Sequence, residues 1–263
     1  MKLATSLTTL AFATSVSQGA YTFSGSSITE NFNGLPTTTI ASVFSNTVGT
    51  QAAISGTGFV GTKLSGSGTA ATGLTVDAGG GTSGAIYSYG TGTATDRALG
   101  TLASGTNVMG FGFELINSTP TLTITDITIS FTQENWRNST SAVNTTAASY
   151  TTGAAASTTF LTEATGFTAA SALSLVGPAA VTTQTALDGN AVGNQAARTL
   201  TVSGLSILPG QSFYLRWLDA NDAGNDAGLA MDNLSLSFVT VPEPNVAALL
   251  GGLGVLGLLR RRR

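Results

Sequence analysis

Two runs decide how this chain folds: Val108-Met109-Gly110-Phe111-Gly112-Phe113-Glu114-Leu115-Ile116 and Leu122-Thr123-Ile124-Thr125-Asp126-Ile127-Thr128-Ile129-Ser130-Phe131, separated by Asn117-Ser118-Thr119-Pro120. Successive side chains of a strand point to opposite faces. In the first run Met109, Phe111, Phe113 and Leu115 therefore share one face, and Gly110, Gly112 and Glu114 share the other. That is a half-buried strand. In the second run the apolar residues change parity, from Leu122 and Ile124 to Ile127, Ile129 and Phe131. A β-bulge at Thr125-Asp126 restores a single apolar face. The four-residue separator reads as a turn, so the expectation is a hairpin.

Outward from this pair the pattern stays β. Short runs recur at 27–32, 53–54, 59–60, 73–76, 85–89 and 98–102, punctuated by Gly, Thr and Asn-Gly. Three more close the chain at 198–205, 212–218 and 234–239, where Phe213, Leu215 and Trp217 alternate with Tyr214, Arg216 and Leu218. Residues 138–159 are nearly all Ser, Thr, Ala and Asn, which reads as a long exposed excursion with one edge strand, and 179–197 is similar. Helical periodicity is absent from the body, and 169–176 is the one place for a short helix. The fold class expected is all-β, a single β-sandwich of jelly-roll type over residues 21–240.

Composition limits the chemistry. The 263 residues contain no cysteine and no histidine, so there is no disulfide framework, no thiolate, no Ser-His-Asp triad and little scope for zinc. The body has five basic and twelve acidic residues, a balance of about −7. A surface of that sign does not suit phosphate backbones, and nucleic acid is not an expected partner. Gly56-Thr57-Gly58-Phe59-Val60-Gly61 matches the dinucleotide fingerprint in its letters. The glycine-rich Thr62 to Gly68 that follows cannot start the helix the fingerprint requires, so it reads as a β-turn.

The ends carry an address. Met1-Lys2 and the uncharged segment Leu3 to Ala20 read as a signal peptide over residues 1–20. Cleavage after Ala20 leaves Tyr21 first, and cuts after Ser17 or Gly19 are alternatives. At the other end, 241–263, Pro242-Glu243-Pro244 precedes an apolar run, Val246 to Leu259, and the chain stops on Arg260, Arg261, Arg262 and Arg263. As a helix that run is about 21 Å long, short for a hydrocarbon core of about 30 Å, and the arginines would hold its end on the cytoplasmic side. The order of motif, apolar run and arginine cluster resembles the PEP-CTERM sorting tail of exported bacterial proteins. The resemblance implies an exosortase-type partner, a membrane-anchored stage and a final place at the cell surface or in the exopolysaccharide matrix.

Several residues invite a functional reading. The segment from Asp219 to Asp226, with Asp232-Asn233 after it, concentrates oxygen ligands of the kind Ca²⁺ takes, although its spacing is not that of an EF-hand, and Asp222 and Asp226 also suit an ordinary hairpin loop. Gln133-Glu134-Asn135-Trp136-Arg137 could offer Trp136 to a sugar ring, with Glu134 and Arg137 on its hydroxyls; the other reading is that Trp136 caps the core and Glu134 pairs with Arg137. The stretches Phe213 to Trp217 and Gly228 to Leu236 resemble the closing strands of secreted jelly-roll modules, among them carbohydrate-binding modules and MAM-like domains. That resemblance implies a structural Ca²⁺ between Glu30, in Ile28-Thr29-Glu30-Asn31-Phe32, and Asp232. The expected function is a surface or matrix structural protein without enzymatic activity. Two alternatives stand beside it: a calcium-assisted carbohydrate-binding module, and a glycosidase or polysaccharide lyase using Glu114 and Glu134 as a carboxylate pair.

Overall fold

A computed structural model describes residues 19–68 and 72–243. The leader up to residue 18 and the tail from Pro244 through the four arginines lie outside the described residues. Among the described residues fifteen strands, numbered in chain order, form two sheets packed as a β-sandwich. The eight-stranded sheet runs β11 (Thr168–Ala169), β10 (Thr145–Ala154), β14 (Gln211–Leu218), β8 (Val108–Asn117), β4 (Val60–Ser65) and β3 (Ala52–Ala53). On it, β1 (Ala20–Phe23) pairs with β8 and β12 (Leu175–Val176) with β10. The seven-stranded sheet runs β13 (Gln195–Val202), β9 (Leu122–Arg137), β15 (Gly228–Pro242), β7 (Ala98–Leu102), β6 (Ala85–Tyr89) and β5 (Leu74–Asp77), with β2 (Ile28–Glu30) on β15.

The two deciding runs become β8 and β9, but they are not a hairpin. β8 pairs with β14, β4 and β1, and β9 pairs with β13 and β15, so the link between them crosses from one sheet to the other. Asn117 makes this corner: its side-chain amide donates to the carbonyls of Leu122 (2.7 Å) and Ile207 (2.9 Å), satisfying backbone that a hairpin ladder would otherwise pair. Both apolar faces still meet, because each looks into the same space between the sheets. Met109, Phe111, Phe113 and Leu115 pack there with Ile124, Ile127, Ile129 and Phe131, all buried. The bulge is where the change of parity requires it: Asp126 opposes Val239 and Ile124 opposes Thr240, leaving Thr125 as the extra residue.

Trp217 lies at the centre of this core. Its ring is stacked on Phe111 (5.6 Å, 9°), and its Nε1–H donates to the Leu173 carbonyl at 2.8 Å. Burying an indole in this way requires a partner for its one polar group. Leu173 belongs to a 3-10 turn, Ser171–Leu173, inside the segment where a short helix was expected. No α-helix occurs among the described residues. The glycine-rich run behaves as turn and strand. Gly56 has φ +81 and crosses Gly34 so closely that a Cβ on it would stand 1.9 Å from the Gly34 carbonyl oxygen, a contact only two glycines can make.

The hydroxyl-rich 138–159 segment holds the main departure. Ten of its residues form β10, which is not an edge strand: it pairs with β14 over eight residues and with β11 and β12 on its other side. At the far end, β15 continues past residue 240. Val241 pairs with Thr123 and Pro242 with Leu122, while the Glu243 amide donates to the Thr121 carbonyl at 2.7 Å and its carboxylate accepts from the Thr123 hydroxyl.

Candidate functional site

Trp136 lies near the end of β9 on the outer face of the seven-stranded sheet, away from the main core. Ala98 on β7, Gly228 and Ala230 on β15 leave a shallow trough on that face, and aromatic rings fill it. Tyr87 stacks on Tyr89 (4.8 Å, 14°), and Tyr89 stacks on Trp136 (5.7 Å, 7°). The tyrosine rings need that missing volume: a Cβ on Gly228 would be 2.6 Å from the Tyr89 hydroxyl. Gly189 lies directly on the indole, since a Cβ there would be 2.3 Å from Cε2, and the Leu187 amide donates to the Trp136 carbonyl at 2.8 Å.

The indole is consequently 0% exposed, and the expectation of an open sugar platform at Trp136 is corrected. Its neighbours are engaged elsewhere. Glu134 accepts from Trp136 Nε1 at 2.9 Å and from Gln195 Nε2 at 3.2 Å, and burial pushes its carboxyl pKa up. Arg137 donates to the carbonyls of Gly79 (2.9 Å) and Gly80 (3.2 Å) and to Gln184 Oε1 (3.0 Å), so it binds the covering loops and not Glu134. The small residues at Ala98, Gly228 and Ala230 were the available signal: strands that carry them on one face leave room for rings from their neighbours.

Glu30 and Asp232 come to one place, the second bulge of β15. Asp232 opposes Thr132 and Ser235 opposes Ser130, with Asn233 and Leu234 between them, and Leu234 opposes Glu30. Asn233 takes the left-handed conformation, φ 53, which asparagine tolerates better than most residues. The carboxylates are already committed. Glu30 accepts from the Phe32 amide (2.9 Å) and the Tyr21 hydroxyl (3.2 Å); Asp232 accepts from the amide (2.7 Å) and side-chain nitrogen (2.7 Å) of Asn233. Calcium takes six to eight oxygen ligands, and no group of three or more metal-binding side chains occurs among the described residues. All four oxygens of the pair accept hydrogen bonds from the protein itself. The pKa of Asp232 is raised to about 7, through burial first and then repulsion from Glu134, Asp96 and Glu30.

The loop after β14 is tied down by hydrogen bonds. Asn144 Nδ2 donates to Asp222 Oδ2 (2.9 Å) and Asp226 Oδ1 (3.1 Å), and Asp226 Oδ1 also accepts the Asp222 amide (3.0 Å). Asp219 accepts from the Ala220 amide (3.1 Å) and the Thr146 hydroxyl (3.3 Å). Burial raises Asp219 to about 7, and raises Asp226, beside Asp222, to about 6.

On the opposite side of the sandwich, Glu114 points out from β8 and fastens the 155–167 segment across the sheet. Its Oε1 accepts from Ser212 Oγ (2.7 Å), Tyr214 OH (3.0 Å) and the Ala156 amide (2.7 Å). Arg216 holds the same segment by donating to the carbonyls of Phe160 (2.7 Å) and Glu163 (2.9 Å), with its guanidinium 3.5 Å from the centre of the Phe167 ring. Glu114 and Glu134 thus project from the outer faces of different sheets, with the core between them. Sheets stack about 10 Å apart before the two side chains even diverge, so these carboxylates cannot flank one glycosidic bond.

No family model matches the sequence, and no curated protein matches it. Among solved structures, TmCBM61 in complex with beta-1,4-galactotriose is similar at 6% identity, over 55% of this chain and 72% of that one, with a TM-score of 0.30. A likeness of that size carries no argument about what this chain binds.

Proposed function

We infer that this chain is an exported β-sandwich protein displayed at the cell surface or in the surrounding matrix, with a structural or adhesive role and no catalytic one. The observation that supports it most is the run of β15 through Pro242, with Glu243 bonded to Thr121 and Thr123. The last strand thus runs into the Pro242-Glu243 start of the sequence that resembles an exosortase substrate, so the domain and that motif are one continuous segment. A jelly-roll connectivity belongs to this reading: β1 and β2 are consecutive in sequence yet enter different sheets, and β2 lies against the last strand. The test is deletion of Pro244 to Arg263 in the native host. Loss of the protein from the cell surface is expected, and undiminished display would overturn the reading.

Carbohydrate binding is the second reading, and an observation away from Trp136 favours it. Beside the 155–167 segment, adjoining recesses are walled by the hydroxyl side chains of Ser157, Thr158 and Thr151 and by Phe160. Screening the purified protein against neutral and acidic oligosaccharides tests this reading. Retention of none of them would remove it and leave the surface role standing.

A further inference from the structure

We propose that the end of the sandwich carrying Leu208, Val239 and Val241 is a membrane-contact surface, which rests on the headgroup layer of a zwitterionic bilayer while the opposite end points away from it. This orientation rests on the surface-anchored reading. Three segments meet at that end. Leu205 and Ile207 are bonded to Thr125 and Ile124 on one side of β9, and Val239, Thr240 and Val241 oppose Asp126, Ile124 and Thr123 on the other. They leave apolar side chains in the open: Val239 is 56% exposed, Val241 46% and Leu208 41%. Val192, at the far end, is more exposed still, so exposure alone does not choose the contact end.

Chain length does. Glu243, the last described residue, is three residues from Val246, where the uncharged apolar run to Leu259 begins. Three residues span at most about 11 Å, and the headgroup layer on each side of the hydrocarbon is about 5–8 Å deep. When that run enters hydrocarbon, Glu243 stays within a few ångströms of the headgroups whatever path the intervening residues take, and Val241 comes with it. Charge then selects the lipid. Segments 117–126, 203–210 and 237–243 contain Asp126 and Glu243 and no Lys or Arg. A surface of that sign gains nothing from anionic lipid, so its contact comes from the apolar side chains. The length of β9 fixes the other end: Gln195 opposes Glu134, twelve residues along the strand from Leu122, which sets the Val192–Asn194 turn roughly 40 Å from the patch.

The chain has no cysteine, so Leu208→Cys, Val239→Cys and Val192→Cys each accept a single fluorophore at an exposed position. The mature chain, 21–263, is reconstituted with phosphatidylcholine vesicles that carry a nitroxide quencher on the headgroup, after far-UV dichroism has matched each variant to the parent. The label should lose most of its emission at 208 and 239 and keep it at 192, and adding phosphatidylglycerol should not deepen the loss. Protein that fails to float with the vesicles sinks the anchored reading and the contact together. Protein that floats but keeps its emission at 208 and 239, or loses it equally at 192, overturns the contact surface and leaves the anchor standing. Quenching at 208 and 239 that needs phosphatidylglycerol overturns the zwitterionic preference.

Discussion

The ring of Trp136 lies parallel to that of Tyr89, 5.7 Å away and 7° from coplanar, on the outer face of the seven-stranded sheet. It is a structural stack under a lid, with Gly189 against the indole and Leu187 bonded to the Trp136 backbone. Trp136→Ala should therefore cost stability, about 3–5 kcal/mol as for other buried aromatic truncations. Urea denaturation followed by far-UV dichroism measures it. A variant that melts like the parent would mean the ring is not packed as described.

The raised carboxyls of Asp219, Asp226 and Asp232, at about 7, 6 and 7, make stability depend on pH with a definite sign. In the unfolded chain these groups ionise near pH 3.9, whereas the folded protein keeps their protons until about pH 6–7. The native state binds more protons in that interval, so stability is fullest at its acidic end and falls as pH rises through it. A lower Tm at pH 7.5 than at pH 5 is expected in chelator. A flat or rising profile over that range would contradict the burial of these groups.

Asp232→Asn isolates one of them. The amide keeps the shape and an oxygen for the Asn233 amide but carries no charge towards Glu134, Asp96 and Glu30. At pH 7.5 the variant should melt at or above the temperature of the parent, with calcium or with chelator alike. A drop that appears only when calcium is present would restore a metal role for Asp232.

Glu114→Ala removes the acceptor shared by Ser212, Tyr214 and Ala156. Leaving buried donors without a partner costs about 1–3 kcal/mol each, less whatever water recovers. Hydrogen exchange should localise the effect to 155–163, whose amides are expected to lose protection while β9 and β15 keep theirs. Uniform loss across the sandwich would show that Glu114 supports the core instead of this segment.

Truncation reads the end of the domain. A chain cut after Thr240 lacks the pairs of Val241 with Thr123 and Pro242 with Leu122, and the Glu243 bonds to Thr121 and Thr123. It should be less stable than one cut after Glu243 by on the order of 1–2 kcal/mol. Equal stability would place the domain boundary at Thr240.

The sequence by itself determined the β class, the faces of the two central strands and the bulge at Thr125, because a period of two is a local property of covalent geometry. Met109, Phe111, Phe113 and Leu115 had to share a face whatever lay beside them. Their partners were not determined in the same way. Alternation says which side chains go inward and is silent on which strand lies alongside. A hairpin and a corner between two sheets bury the same residues, so β8 and β9 were legible as strands and not as members of different sheets. β10 was hidden for a related reason: its Ser, Thr and Ala side chains carry little apolar signal, and eight backbone pairs with β14 define it instead. Trp136 and Glu134 shared a face in any strand, but only the arrival of Gly189 and Leu187, some fifty residues on, decided whether that face was open. Glu30 and Asp232, two hundred residues apart, likewise meet only because β2 pairs with β15. Which residues can line a face is set by the chain's own geometry, whereas which of them are covered, paired or left facing a groove is set by contacts that exist only once distant strands have met.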